Sequence, residues 1–262
     1  VQWRSEKMVA EGDEDADVAM IDLAFVALPD GATCVGLQRA QVPHRAFLAE
    51  AKGLMLQLPN DVFNGFARTY TSAGGEFTLN GRDGESAGMS ISGDWLCVDG
   101  RLGVVALYGA PLTVLHPETA RIGIASHAWN VHAQTAGGFL YADEICMVCH
   151  DQVRPFEADR PLFDIGFAVL ADAGTEETRQ FHQANVETAI DTGHADVRCV
   201  AVAGVDGRRY IVAANFGDQQ VHLDVGTWPG MIIPISPEEP ACAPTLHLNA
   251  GEARICLSQV LI

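Results

Sequence analysis

Three times this chain sets an apolar run, an Asp-Gly pair and a second apolar run in succession. Asp30-Gly31 separates residues 25–28 from 33–37, Asp99-Gly100 separates 95–98 from 102–105, and Asp206-Gly207 separates 200–202 from 210–212. Asp-Gly tolerates the positive φ angles of a tight type I′ turn, whose twist matches that of paired antiparallel strands. The chain therefore reads as a succession of β-hairpins. An antiparallel domain builds its sites from sheet faces and loops, whereas phosphate binding at a strand-to-helix turn needs a different architecture. The spellings GxGxxG and GxxxxGK[ST] are absent, which counts against nucleotide binding.

Turn residues punctuate residues 18–115 at the short spacing of a sandwich, and further strands are expected at 139–148 and 165–170. Residues 53–60 read as a strand ended by a Pro-Asn turn, and 63–72 with 75–81 read as another hairpin. One helix is expected over 175–186, with Thr175 as its N-cap and Glu176 and Glu177 in its first turn. The expected fold is all-β: a large, supersandwich-like antiparallel β-sandwich over residues 1–192, followed by a small C-terminal β unit over 193–262. That last unit lies near the lower size limit for independent folding, so it is expected to pack on the larger one.

The chain has 262 residues, 48% of them hydrophobic, enough to bury a sizeable core. Its 34 acidic residues outnumber 16 basic ones, for a formal charge of −18. That balance opposes nucleic-acid and anionic-membrane partners, and an acidic polysaccharide would need a local Arg and His cluster working against the global field. Seven cysteines (Cys34, Cys97, Cys146, Cys149, Cys199, Cys242 and Cys256) lie scattered through apolar runs. They read as buried small hydrophobes in a reducing compartment, which favours the cytoplasm. The sequence starts at Val1 without a signal-peptide pattern, so a piece of a longer protein is expected.

Residues 58–65 (LPNDVFNG) with 95–108 (WLCVDGRLGVVALY) resemble the β-sandwich modules that follow the catalytic domain in large carbohydrate-active enzymes, notably the heparinase II/III-like polysaccharide lyases. Residues 210–218 (YIVAANFGD) resemble the small C-terminal β domain of many glycoside hydrolases. Together the two resemblances cover roughly half of the chain. They imply an accessory region that braces a catalytic domain upstream in the same chain, or contributes to carbohydrate binding, without carrying the chemistry.

Several residue sets are candidates for chemistry. A polysaccharide lyase needs a base for the proton α to a uronate carboxylate, an acid for the leaving oxygen, and Asn, Arg or His to neutralise the carboxylate. Tyr70, His44, Arg68 and Asn60 could fill those catalytic roles if the hairpin gathers them. The structural alternative gives Asn60 to a turn, Tyr70 to a sheet face and Arg68 to an acid. Trp129, His127 and His132 form a candidate sugar-binding set, because an aromatic face suits the apolar face of a pyranose. Cys146-Met147-Val148-Cys149-His150 spells C-x-x-C-H, but in a strand, residues three apart point to opposite faces and cannot hold one porphyrin. A zinc site there lacks a second Cys pair, and Asp13, Asp15 and Asp17 lack the glycine and final Glu of a calcium loop, so a solvated loop is expected. No cofactor and no metal are implied. The function classes in order are the accessory carbohydrate-enzyme region, an active lyase or hydrolase domain built on the Tyr70 hairpin, and a protein-interaction module.

Overall fold

The computed structural model describes residues 2–5, 9–10, 13–17, 19–48, 51–60, 67–80, 90–115, 141–150, 152–158, 161–225, 228, 231–234 and 245–259. Every strand pairing among them is antiparallel, and the only helix among them spans Thr175–Ala184. The chain is all-β. No helix among the described residues is long and apolar enough to cross a membrane.

An eight-stranded sheet forms the middle of the molecule. Its order is Gln2–Ser5, Met20–Ala27, Thr33–Gln41, Pro161–Ala171, Leu102–Tyr108, Trp95–Val98, Ala67–Ser72 and Gly75–Asn80. One face packs on a four-stranded sheet of Ser90–Gly93, Leu112–Leu115, Tyr141–His150 and Ala51–Asn60. Tyr70, Leu96, Val104, Ile165 and Phe167 from the first sheet meet Val114, Ile145 and Met147 from the second. The opposite face packs on a C-terminal sheet of Val197–Ala203, Arg209–Asn215, Ala253–Gln259 and Met231–Pro234. Val35, Leu37, Val105 and Leu170 there meet Val200, Val202, Tyr210 and Val212, with Phe181 of the helix in the same cluster. The far face of the C-terminal sheet is capped by a ribbon of Val221–Asp224 and Thr245–Leu248, through Leu223, Leu246 and Leu248.

Burial on both faces explains a sequence pattern that strict alternation does not. In a half-exposed strand only every second residue is apolar, but strands covered on both sides become near-continuous apolar runs. Trp95–Val98 is buried at all four positions, with Trp95 and Cys97 on one face and Leu96 and Val98 on the other.

Each Asp-Gly pair turns a hairpin, but only one makes the expected type I′ turn. Asp99 (φ 51°) and Gly100 (φ 63°) are both left-handed, and the N–H of Arg101 donates to Val98 O at 3.0 Å. At the other two pairs the glycine alone is left-handed: Gly31 and Gly207 both have φ 78°, and their N–H groups close on the carbonyls of Leu28 and Gly204. The Asp side chain accounts for the difference. Asp30 Oδ1 accepts from the N–H groups of Ala32 and Thr33, and Asp206 Oδ1 accepts from that of Arg208, so each Asp stabilises a turn without leaving the right-handed region.

Three further expectations are corrected. The strand Ala51–Asn60 runs through Pro59 and Asn60, paired with Ala142 and Tyr141, because it is an edge strand whose open side needs no N–H from Pro59. The same strand carries a bulge: Leu54 (φ 69°) and Met55 (φ 53°) together face the single residue Cys146, and Gln38 Oε1 accepts from the N–H of Leu54 at 2.9 Å. Asp13–Asp17 is a strand paired with Val9–Ala10 and not a loop. The helix N-cap is Gly174, not Thr175, and makes no side-chain bond; Thr175 lies inside the helix, which ends at Ala184, and Thr178 Oγ1 donates to Gly174 O at 2.7 Å. Six of the seven cysteines lie among the described residues, and all six are free thiols.

Gly36 tests how tightly the central sheet is packed. It pairs directly with Phe167, whose ring lies so close that a β-carbon on Gly36 would meet Cζ at 2.1 Å. Phe167 is itself buried and cannot swing away. Gly36→Ala is expected to destabilise the protein by about 1–3 kcal/mol, read as a lower urea midpoint at unchanged slope.

Candidate functional site

The expected catalytic residues occupy different parts of the stack. Tyr70 is fully buried between the central and four-stranded sheets, where its phenol donates to Asp143 Oδ2 at 2.6 Å; Asp143 is itself fully buried. Burial, then the adjacent Asp143 carboxylate, pushes Tyr70 ionisation far above its ordinary value near 10. Arg68 Nη1 pairs with Asp99 Oδ2 at 2.9 Å, and Asp99 Oδ1 also accepts from the N–H of Thr69, so this arginine braces the Asp99-Gly100 turn. The backbone of Asn60 pairs with Tyr141, two positions along from the Leu58–Asp143 pairing, which brings it to the same end of the four-stranded sheet as the Tyr70 acceptor. His44 is exposed in the bend after Thr33–Gln41, a strand four positions from the Tyr70 strand, about 19 Å at ordinary strand spacing. His127, Trp129 and His132 lie outside the described residues. So does the spelling G-x-S-x-G at residues 84–88.

A different set of polar groups converges where the central and C-terminal sheets meet. Asp22, Arg39 and Asp164 stand in one cross-strand row, since Asp22 pairs with Arg39 and Arg39 with Asp164. Arg39 is 3% exposed. Its Nε donates to Asp22 Oδ2 at 2.8 Å, its Nη1 to Asp196 Oδ1 at 2.7 Å and its Nη2 to Phe216 O at 3.1 Å, while Cζ lies 5.4 Å from the Phe216 ring centroid. Burial opposes the charge on Arg39, and the bonds to Asp196 and Asp22 more than offset it, so the guanidinium stays ionised. Beside it, Arg198 Nε donates to Asp164 Oδ2 at 2.5 Å, and Tyr108 Oη donates to Asp164 Oδ1 at 3.2 Å. Asp196, Arg198 and Phe216 belong to the C-terminal part of the chain, so charges on both sheets close the seam.

Asn215 shapes the loop above this row. Fully buried, it donates from Nδ2 to the carbonyls of Gln219, Leu248 and Asn249, and its Oδ1 accepts from the N–H of Gly217. The loop stands over a cleft of about 480 Å³, with Met20 and Gln41 from the central sheet, Asp218 and Gln219 from the loop, and Asp196, Arg39 and Phe216 along the seam. Among the described residues the lining offers amides, carboxylates, a guanidinium and a thioether. Asp22 and Asp196 serve as counter-ions of Arg39. These groups can hydrogen-bond a polar ligand. Among the described residues no cluster of three or more His, Cys, Asp or Glu side chains could hold a metal ion.

A scan against protein-family models gives no match for this chain, and a search of the curated proteins gives none either.

The expected site residues did not include Asp22, Arg39 or Asp196. For two of them a signal was present: Asp22 and Arg39 are single charges inside otherwise uncharged strands (MIDLAFVA and TCVGLQRAQ), where an isolated charge demands a partner.

Two outcomes are expected. Arg39→Met removes the buried guanidinium that Asp22 and Asp196 share and should cost about 3–5 kcal/mol in urea unfolding. Burial, then the neighbouring Asp164 charge, also pushes Tyr108 ionisation up. Above pH 10 the unfolded chain releases the Tyr70 and Tyr108 protons while the native state keeps them, so stability should fall as pH rises through that range. Absorbance at 295 nm should show these two phenols ionising only as the protein unfolds.

Proposed function

We propose that this chain is a non-catalytic accessory β-sandwich region of a larger carbohydrate-active enzyme, bracing the catalytic domain of the same polypeptide or contributing to polysaccharide binding. The observation that carries this reading is the position of Tyr70. Its proton is held by a buried carboxylate and its ring is sealed between two sheets, so the residue best suited to acid–base chemistry on a uronate faces no open site. The resemblance of residues 95–108 and 210–218 to carbohydrate-enzyme modules supports the same reading.

The seam cleft is the proposed place of contact with the glycan. Gln41, Gln219 and Asp218 offer donors and acceptors to hydroxyls, and Met20 offers an apolar patch. The formal charge of −18 over the whole chain favours neutral or amine-bearing sugars over uronates.

Tyr70→Phe in the full-length protein discriminates this reading from an active lyase built on the Tyr70 hairpin. The variant should lose about 1.5–3 kcal/mol of stability, as expected for a hydrogen bond to a charged acceptor, while turnover stays within a few-fold. A loss of about 10²- to 10⁴-fold in rate with the fold intact by circular dichroism would place Tyr70 in the chemistry and overturn the accessory reading.

A further inference from the structure

On the outermost ribbon, His222 and His247 are direct cross-strand partners. Leu223, Leu246 and Leu248 point inward to the capped core, so the two-residue period of a strand turns His222, Asp224 and His247 outward, and all three are exposed. The two imidazoles meet Nδ1 to Nδ1 in direct contact, with ring centroids 4.5 Å apart and planes at 87°.

We propose that His222 and His247 form a binding site for one divalent transition-metal ion of the imidazole-preferring class, Zn²⁺, Cu²⁺ or Ni²⁺. Two facing ring nitrogens share at most one proton, and that proton engages one lone pair. A metal ion in its place engages both. Metal–nitrogen bonds of about 2.0–2.1 Å separate two ligand nitrogens by about 3 Å, so the rings need only open slightly, and exposed side chains at a surface ribbon can do so. Imidazole ligands select these ions over Mg²⁺ and Ca²⁺, which prefer all-oxygen shells. With two protein ligands the remaining coordination positions go to water or to an incoming group, so the site is open.

Two further features favour a cation there. Asp224 lies on the same outward face, two residues from His222, and adds negative charge beside the pair. The formal charge of −18 raises the cation concentration at the surface as a whole. The site is independent of the seam cleft and of the accessory reading. Because residues 222 and 247 lie 25 apart in sequence, an ion bound between them clips two distant parts of the chain.

Equilibrium dialysis of the full chain against NiCl₂ and ZnCl₂, with His222→Ala, His247→Ala and the double variant alongside, tests the proposal. The expected result is one ion per chain in the parent, at least tenfold weaker binding in each single variant, no comparable uptake of Mg²⁺, and a melting temperature that rises with Ni²⁺ in the parent only. Both substitutions are on exposed positions, and circular dichroism checks that the fold is kept. Equal uptake by the parent and the double variant, meaning that the ion sits on other His or Cys side chains, would overturn it; so would uptake by the parent no stronger than that of either single variant.

Discussion

The structure depends on burying both faces of one sheet. Eight strands in a single layer present two apolar surfaces, and each must be covered. The four-stranded sheet covers one, and the C-terminal sheet with the helix covers the other. It follows that the C-terminal strands are structural partners of the larger sandwich: without them Val26, Val35, Leu37, Val105 and Leu170 would face water. The C-terminal sheet is in the same position, since Val200, Val202, Tyr210 and Val212 need the central sheet as much as they cover it.

Apolar burial holds these layers together but does not dictate how they are aligned, because hydrophobic contact has no preferred direction. Alignment comes from the polar row at the seam. Arg39 can satisfy Asp22, Asp196 and the Phe216 carbonyl at once in only one placement of the two sheets, and Arg198 with Asp164 repeats the constraint alongside. Asp30 adds a third tie, its Oδ2 accepting from the N–H of Val205 across the same seam. A slipped placement would leave buried charges unpaired, a cost of several kcal/mol that the apolar surface cannot recover. The cleft beneath the Asn215 loop is a by-product of this fixed alignment.

The hairpins were legible because Asp-Gly turns and flanking apolar runs are local signals, and the all-β class followed from them. Turn type was less legible: the Asp30 and Asp206 side chains bond to the backbone, which a spelling does not show. Residues 95–98 (WLCV) carry an apolar run at every position, and that run reports burial on two faces without naming what covers each. The candidate site was the least legible part. Tyr70, Arg68, His44 and Asn60 look like a chemical set when written side by side, yet Tyr70 and Arg68 each answer to an acid far along the chain, Asp143 and Asp99. Arg39 and Asp196 are 157 residues apart, and nothing local links them.

The bulge at Leu54 and Met55 has a consequence for the company the protein keeps. A long strand at the open side of a sheet is a template on which another chain can add itself, strand by strand. Here two consecutive left-handed residues break the regular rise of Ala51–Asn60, Gln38 occupies the N–H of Leu54, and Pro59 lacks an N–H altogether. A foreign strand would find matching donors and acceptors over only a few residues before the pattern fails. The irregular edge thus disfavours strand addition along Ala51–Asn60, where an unbroken strand would invite it.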